Sequence, residues 1–210
     1  MNALLIIDIQ NDFLPGGSLA VPEGDTIIPV VNELQQHFDL VVATQDWHPA
    51  NHGSFASSHS NKKPGDVVDL NGTEQVLWPD HCVQYTNGAE FAESLDKDRF
   101  SKIIQKGTDA GIDSYSGFFD NKHKRATGLQ EYLSGKMTDK LFLTGLAADI
   151  CVKYTAIDAL ELGYETFVVK DATKAVGGAE LFNTTMYELE MKGAKIVSTQ
   201  EVLSLLHVAG

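Results

Sequence analysis

Six short apolar runs set the rhythm of this chain, and each reads as a strand. Ala3-Leu-Leu-Ile-Ile7 is apolar almost throughout, the pattern of a strand buried on both faces of a parallel sheet. Leu40-Val-Val-Ala43, the weaker Ile103-Ile104, Leu141-Phe-Leu-Thr144, Thr166-Phe-Val-Val169 and Ala194-Lys-Ile-Val197 follow it along the chain. Helix-like amphipathic stretches fall between them. From about Asp25 to His37, the residues Ile27, Ile28, Val31 and Leu34 share one helical face, and Pro29 falls in the first turns. A second helix is predicted from about Ala148 to Leu162 and a third from Glu180 to Lys192, closed by Gly163 and Gly193. Strands alternating with helices predict an α/β fold. The expected form is a doubly wound sheet of about six mostly parallel strands with helices on both faces, built by residues 1–210 as a single domain. One segment breaks the alternation. Residues from about 49 to 88 are rich in Asn, Ser, His, Gly and Pro, and a long ordered excursion in a compact domain is usually functional.

Composition agrees with that picture. A chain of 210 residues can bury one large core. Hydrophobic residues make up 43% and charged residues 21%, which argues against wholesale disorder. The formal net charge of -13 argues against nonspecific binding to nucleic acid or to an anionic membrane. It leaves the oligomeric state open, a homo-oligomer included. Cys82 and Cys151 are too few for a disulfide framework, so a thiol-reduced intracellular protein is expected. The first apolar run lacks a basic segment before it and is too short for a signal peptide. No stretch approaches the ~18 apolar residues of a membrane span. A cytoplasmic location is the expectation.

Ligands of open α/β sheets bind beyond the carboxyl ends of the strands, and the reactive residues of this chain collect there. Asp8 follows the first run, Asp46 and His48 the second, Lys106 the third, and Gly145-Leu-Ala-Ala-Asp-Ile-Cys151 the fourth. Cys151 falls in the first turn of the second predicted helix, where unpaired N–H groups and the helix dipole favour a thiolate and can form an oxyanion hole. Its competing reading is a small buried hydrophobe. Asp8 at a partly desolvated strand end can act as a general base, or it can simply cap a loop. Lys106 can hold that carboxylate charged, or be an ordinary solvated lysine. Asp46 and His48 lie two residues apart on an extended segment and so point the same way, and His81, across the excursion, can complete the set. One carboxylate and two imidazoles suit one divalent ion, Zn²⁺ first, with Fe²⁺ and Mn²⁺ as alternatives. His52 and His59 compete for the same role. Phe13, Trp78 and Tyr115 lie near these motifs and can wall a planar ring, although ordinary packing explains any one of them.

Together these segments resemble one family. Asp8-Ile-Gln-Asn-Asp-Phe13, Gln45-Asp-Trp-His-Pro-Ala-Asn-His-Gly-Ser-Phe-Ala56, Leu77-Trp-Pro-Asp-His-Cys-Val83, Lys106-Gly107, Asp113-Ser-Tyr-Ser-Gly-Phe-Phe-Asp120 and Gly145-Leu-Ala-Ala-Asp-Ile-Cys-Val-Lys153 occur in the order found in the nicotinamidase (pyrazinamidase) branch of the isochorismatase-like cysteine hydrolases. The resemblance implies hydrolysis of nicotinamide to nicotinate and ammonia in NAD recycling. It puts Asp8, Lys106 and Cys151 on the catalytic positions and Asp46, His48 and His81 on the metal positions. The backbone N–H groups of Ala147 and Cys151 fall on the oxyanion hole, with a cis peptide between Leu146 and Ala147. His52 matches a histidine that is a ligand in only some members and stays outside the set. Ala148 and Ile150 depart from the common pattern, which has Thr at the first and an aromatic residue or His at the second. The alternatives are a carbamoylsarcosine- or ureido-type amidase, an isochorismatase, or a noncatalytic metabolite- or metal-binding module.

Overall fold

The computed structural model describes residues 1–208. In chain order its strands are β1 (Asn2–Ile7), β2 (Val41–Asp46), β3 (Val67–Asp69), β4 (Glu74–Val76), β5 (Lys102–Lys106), β6 (Lys140–Leu146), β7 (Glu165–Lys174) and β8 (Lys195–Val197). Six of them form one sheet in the order β5-β2-β1-β6-β7-β8, with every pairing parallel. All six apolar runs are therefore in this sheet. The boundaries shift where burial overrides composition. β2 runs on through Thr44, Gln45 and Asp46, every residue of it buried, and β7 continues five residues beyond Val169 after a register shift against β6.

Alternation along β1 divides the core. Leu4 and Ile6 pack with α1 (Ile28–Gln35) and with Val202 of α5 (Thr199–Val208). Ala3, Leu5 and Ile7 face the other layer, where α2 (Leu129–Gly135), α3 (Lys153–Glu161) and α4 (Gly178–Met191) contribute Leu129, Leu133, Ala156, Ala159 and Leu189. α2 and α5 have no counterpart among the predicted helices. α2 is only seven residues long and buries one i, i+4 pair, Leu129 and Leu133, too little to show a period.

Chain direction in the sheet reverses beside β1. The chain moves outward from β1 through β2 to β5, then returns to the other side of β1 with β6. The crevice beyond the carboxyl ends of β1 and β6 is the place where such sheets bind ligands. The excursion covers it. Its antiparallel β3–β4 hairpin was not anticipated by the sequence reading, and parallel bridges His48–Val83 and Phe55–Trp78 pin its two arms together. Among the described residues no helix is long and apolar enough to cross a membrane.

Candidate active site

Strand ends bring the expected residues together. Asp8 leaves β1 with a left-handed backbone, φ +49°, a conformation that Asp tolerates better than most residues. Asp46 and Lys106 end β2 and β5 and are paired in register. Cys151 lies in the segment between β6 and α3. The sequence pattern predicts an α-helix from Ala148, but Ala148–Val152 is a π turn and α3 starts only at Lys153. The Leu146–Ala147 peptide before it is cis. Thr155 Oγ1 donates to the Cys151 carbonyl at 2.6 Å and accepts the Gly117 N–H at 2.9 Å, tying the cysteine backbone to the loop after β5.

Lys106 is at the centre, almost wholly buried. Its Nζ donates to Asp46 Oδ1 at 2.6 Å, to the Ser114 carbonyl at 3.0 Å and to Cys151 Sγ at 3.6 Å. Asp8 Oδ2 lies 2.9 Å from the same nitrogen, as a buried ion pair. Asp8 Oδ1 is occupied, accepting from Thr44 Oγ1 at 2.6 Å. A carboxylate oxygen of Asp8, one of Asp46 and Cys151 Sγ thus lie within 4.8 Å of one another, all buried around the Lys106 ammonium.

The electrostatics follow from this packing. Burial pushes the Asp8 carboxyl up, with Lys106 opposing and Asp46 reinforcing the rise. Burial also opposes the charge of Asp46, but Lys106 and His48 outweigh it and hold that carboxyl well below its usual range. Lys106 is pushed further up, since Asp46 and Asp8 overcome its own desolvation. Burial raises the Cys151 thiol, and Lys106 opposes that rise.

Beside the thiol lies a donor set for a cation. His48 Nδ1 lies 2.8 Å from the Gly107 carbonyl and His81 Nδ1 2.7 Å from the Pro79 carbonyl. A carbonyl can only accept, so each Nδ1 carries the hydrogen and each Nε2 keeps its lone pair. Those two Nε2 atoms lie 3.4 and 3.7 Å from Asp46 Oδ2, and His48 Nε2 is buried with no hydrogen-bond partner. Ligands about 2.1 Å from a tetrahedral ion sit about 3.4 Å apart, so the set fits one. Charge agrees as well. Asp8, Asp46 and Asp113 are buried together with Lys106, leaving an excess of negative charge that a divalent cation would balance. Without a cation, burial acts against a proton on His48, yet Asp46 pushes its pKa up to about 9. Only glycine serves at 107, where φ is +64° and a Cβ would lie 2.4 Å from His48 Cε1. His59 is no competitor, since its Nε2 is taken by the Gly53 carbonyl at 2.7 Å. Cys82 is fully buried in the core layer of α1, and both cysteines are free.

Phe13, Trp78, Tyr115, Asp46, His81, Ala147 and Cys151 line the cavity that reaches this cluster. All three predicted aromatics are there. Tyr115 Oη accepts from Trp78 Nε1 at 3.2 Å and Gln75 Nε2 at 2.9 Å, locking both rings. A larger cavity between β7 and α4 holds none of the reactive residues.

Sequence reasoning missed Gln10. Its carboxamide accepts the Asp46 N–H at 2.8 Å and donates to the Asp46 carbonyl at 2.8 Å, replacing the next residue of a neighbouring strand, and donates again to the Ala89 carbonyl. Gln10→Ala leaves buried groups of Asp46 unpaired, at about 1–3 kcal/mol each, part of which water in the vacated space recovers. A melting temperature about 4–8 °C below wild type is expected by calorimetry; an unchanged value would show that Asp46 is held without it.

Comparison with known proteins gives the family. The isochorismatase domain family matches residues 2–201. The chain belongs to the isochorismatase family. A relative within reach of this family member is the nicotinamidase of Acinetobacter baylyi, 44% identical over 96% of this chain and 94% of its own. Among solved structures, a nicotinamidase/pyrazinamidase of Acinetobacter baumanii superposes with a TM-score of 0.92 at 42% identity, covering 96% of this chain and 97% of the other. A pyrazinamidase of Pyrococcus horikoshii, solved in complex with zinc, does so with a TM-score of 0.77 at 39% identity, covering 94% and 98%. Fold and family thus stand as the isochorismatase-like motifs imply.

Proposed function

We propose that this chain is a nicotinamidase that hydrolyses nicotinamide to nicotinate and ammonia and acts on pyrazinamide as well, as one hydrolase domain in NAD salvage. The observation that carries the reading is the buried cluster of Asp8, Lys106 and Cys151, in which the Lys106 ammonium lies 2.9 Å from Asp8 Oδ2 and 3.6 Å from the sulfur. Asp8 Oδ2 takes the thiol proton and the sulfur attacks the amide carbon, forming the C–S bond. Negative charge on the carbonyl oxygen is met by the backbone N–H groups of Ala147 and Cys151. As the tetrahedral centre collapses, the C–N bond breaks and Asp8 returns the proton to departing ammonia. Asp8 then takes a proton from water, whose oxygen attacks the thioester and frees the acid and the thiol. Lys106 keeps the carboxylate and the sulfur poised by its charge.

Asp46, His48 and His81 would hold one divalent ion, zinc in the first place, which supplies a Lewis-acid contact for the ring nitrogen. Support comes from the two Nε2 lone pairs directed at Asp46 and from the zinc-bound Pyrococcus horikoshii relative. Phe13, Trp78 and Tyr115 would enclose the ring. Two free cysteines suit a cytoplasmic enzyme. The test is ammonia release from nicotinamide set against a carbamoyl substrate, with metal analysis of the same sample. Nicotinamide turned over and the carbamoyl compound ignored is the expected result; the reverse preference would make the chain a different amidase of the family. Chelation is expected to raise KM at least about tenfold with a smaller effect on kcat, since the ion positions the ring rather than reacts. Unchanged kinetics with no bound metal would remove that role.

A further inference from the structure

His52 is left over from this scheme. It is fully buried, its ring lies 4.4 Å from that of His48, and its Nε2 has no hydrogen-bond partner. The other ring nitrogen fixes its tautomer. The Ser54 backbone N–H is directed at His52 Nδ1 at 3.2 Å, and Ser54 Oγ lies 2.7 Å from the same atom. A backbone amide can only donate, so Nδ1 accepts and the neutral ring carries its hydrogen on Nε2. This is the reverse of His48 and His81, whose Nδ1 atoms face carbonyls. An Nε2 bearing hydrogen has no lone pair for an ion, so His52 is built to donate.

Asp113 supplies the matching acceptor. Its buried carboxylate lines the cavity beside Asp46 and His81, and its Oδ1 accepts the Ser114 N–H at 2.7 Å. Ligand-type atoms of His48, His52 and Asp113 lie within 4.8 Å of one another, a spacing that one water bridges with two hydrogen bonds.

Resting on the metal reading above, we propose that His52 and Asp113 are positioning residues outside the ligand set, which hold water at the open positions of the ion: His52 Nε2–H donates to that water and Asp113 accepts from it. Partners of this kind orient what the ion binds, and their loss typically weakens metal affinity 10–100-fold.

The test uses zinc-loaded protein in four forms: wild type, His52→Ala, His52→Gln and Asp113→Asn. X-ray absorption at the zinc edge counts imidazole ligands, and competition with a chromogenic chelator gives the zinc Kd. Two imidazoles are expected in all four. His52→Ala and Asp113→Asn should weaken zinc binding about tenfold or more. His52→Gln should stay within about threefold of wild type, because its amide nitrogen reaches the Nε2 position and donates there. Three imidazoles in wild type falling to two in His52→Ala would make His52 a ligand and overturn the proposal. Zinc affinity unchanged in both His52→Ala and Asp113→Asn would overturn it too. Neither readout needs turnover, so a failure of the nicotinamidase reading would show separately, as the absence of ammonia release from wild type.

Discussion

Cys151→Ala is expected to lose at least about 10⁴-fold in kcat for ammonia release from nicotinamide while keeping the wild-type fold. Burial raises the thiol's pKa, with Lys106 opposing, so little thiolate exists before substrate arrives and the proton has to leave on the enzyme. The Asp8 carboxylate is the acceptor within reach of the sulfur, and its own pKa, raised by burial, brings it closer to that of the thiol it must deprotonate. Removing the sulfur leaves the cavity, the oxyanion amides and the base in place with nothing to form the acyl intermediate. Water held near Asp8 cannot replace it, because the tetrahedral centre would then form at an oxygen the site does not position. The check has two parts. Steady-state ammonia release should vanish in the variant, and acid-quenched wild type should carry a nicotinoyl adduct on Cys151 that the variant lacks. Turnover near wild type would end the thioester scheme.

The sheet was legible because its inner strands, buried on both faces, need nearly continuous apolar runs, while the partly exposed edge strands β5 and β8 keep only short ones. Asp8, Asp46, Lys106 and Cys151 were legible because each sits at the end of such a run, where topology alone directs it into the crevice between β1 and β6. Less was readable where several distant segments act together. Gln10 gives no local sign that it clamps Asp46, 36 residues away. Asp113 looks like an ordinary polar residue until the loop after β5 folds over the sheet, and Thr44 until the pairing of β1 with β2 sets its hydroxyl on Asp8. Some signals were present and unread. Ser198 and Glu201 form a capping box ahead of α5, with Glu201 Oε2 accepting the Ser198 N–H at 2.7 Å and Ser198 Oγ accepting the Glu201 N–H at 3.3 Å. The π turn at Cys151 had no such signal, since α and π turns differ by one hydrogen-bond register and share the same propensities.

Lys106→Met is expected to lower the melting temperature of metal-free protein by about 10 °C and to abolish turnover. Methionine fills much of the space of the lysine stem, so the change removes a charge more than it opens a cavity. Three acceptors lose a donor at once, and Asp8 and Asp46 are left as buried carboxylates without their cation. Breaking a buried pair in this way costs about 3–5 kcal/mol, and each kcal/mol moves the melting temperature of a chain this size by about 2–4 °C. The two carboxylates then relieve their repulsion by taking up a proton. Asp8, whose pKa burial already raises, is the one that takes it, and a protonated Asp8 cannot accept from the thiol. The origin of the instability can be separated from simple misfit by adding zinc. A divalent cation on Asp46 supplies part of the positive charge that Lys106 gave, so zinc should raise the melting temperature of Lys106→Met by more than it raises that of wild type. An equal rise in both would mean that the lost packing of the lysine stem, and not its charge, sets the stability of this corner of the fold.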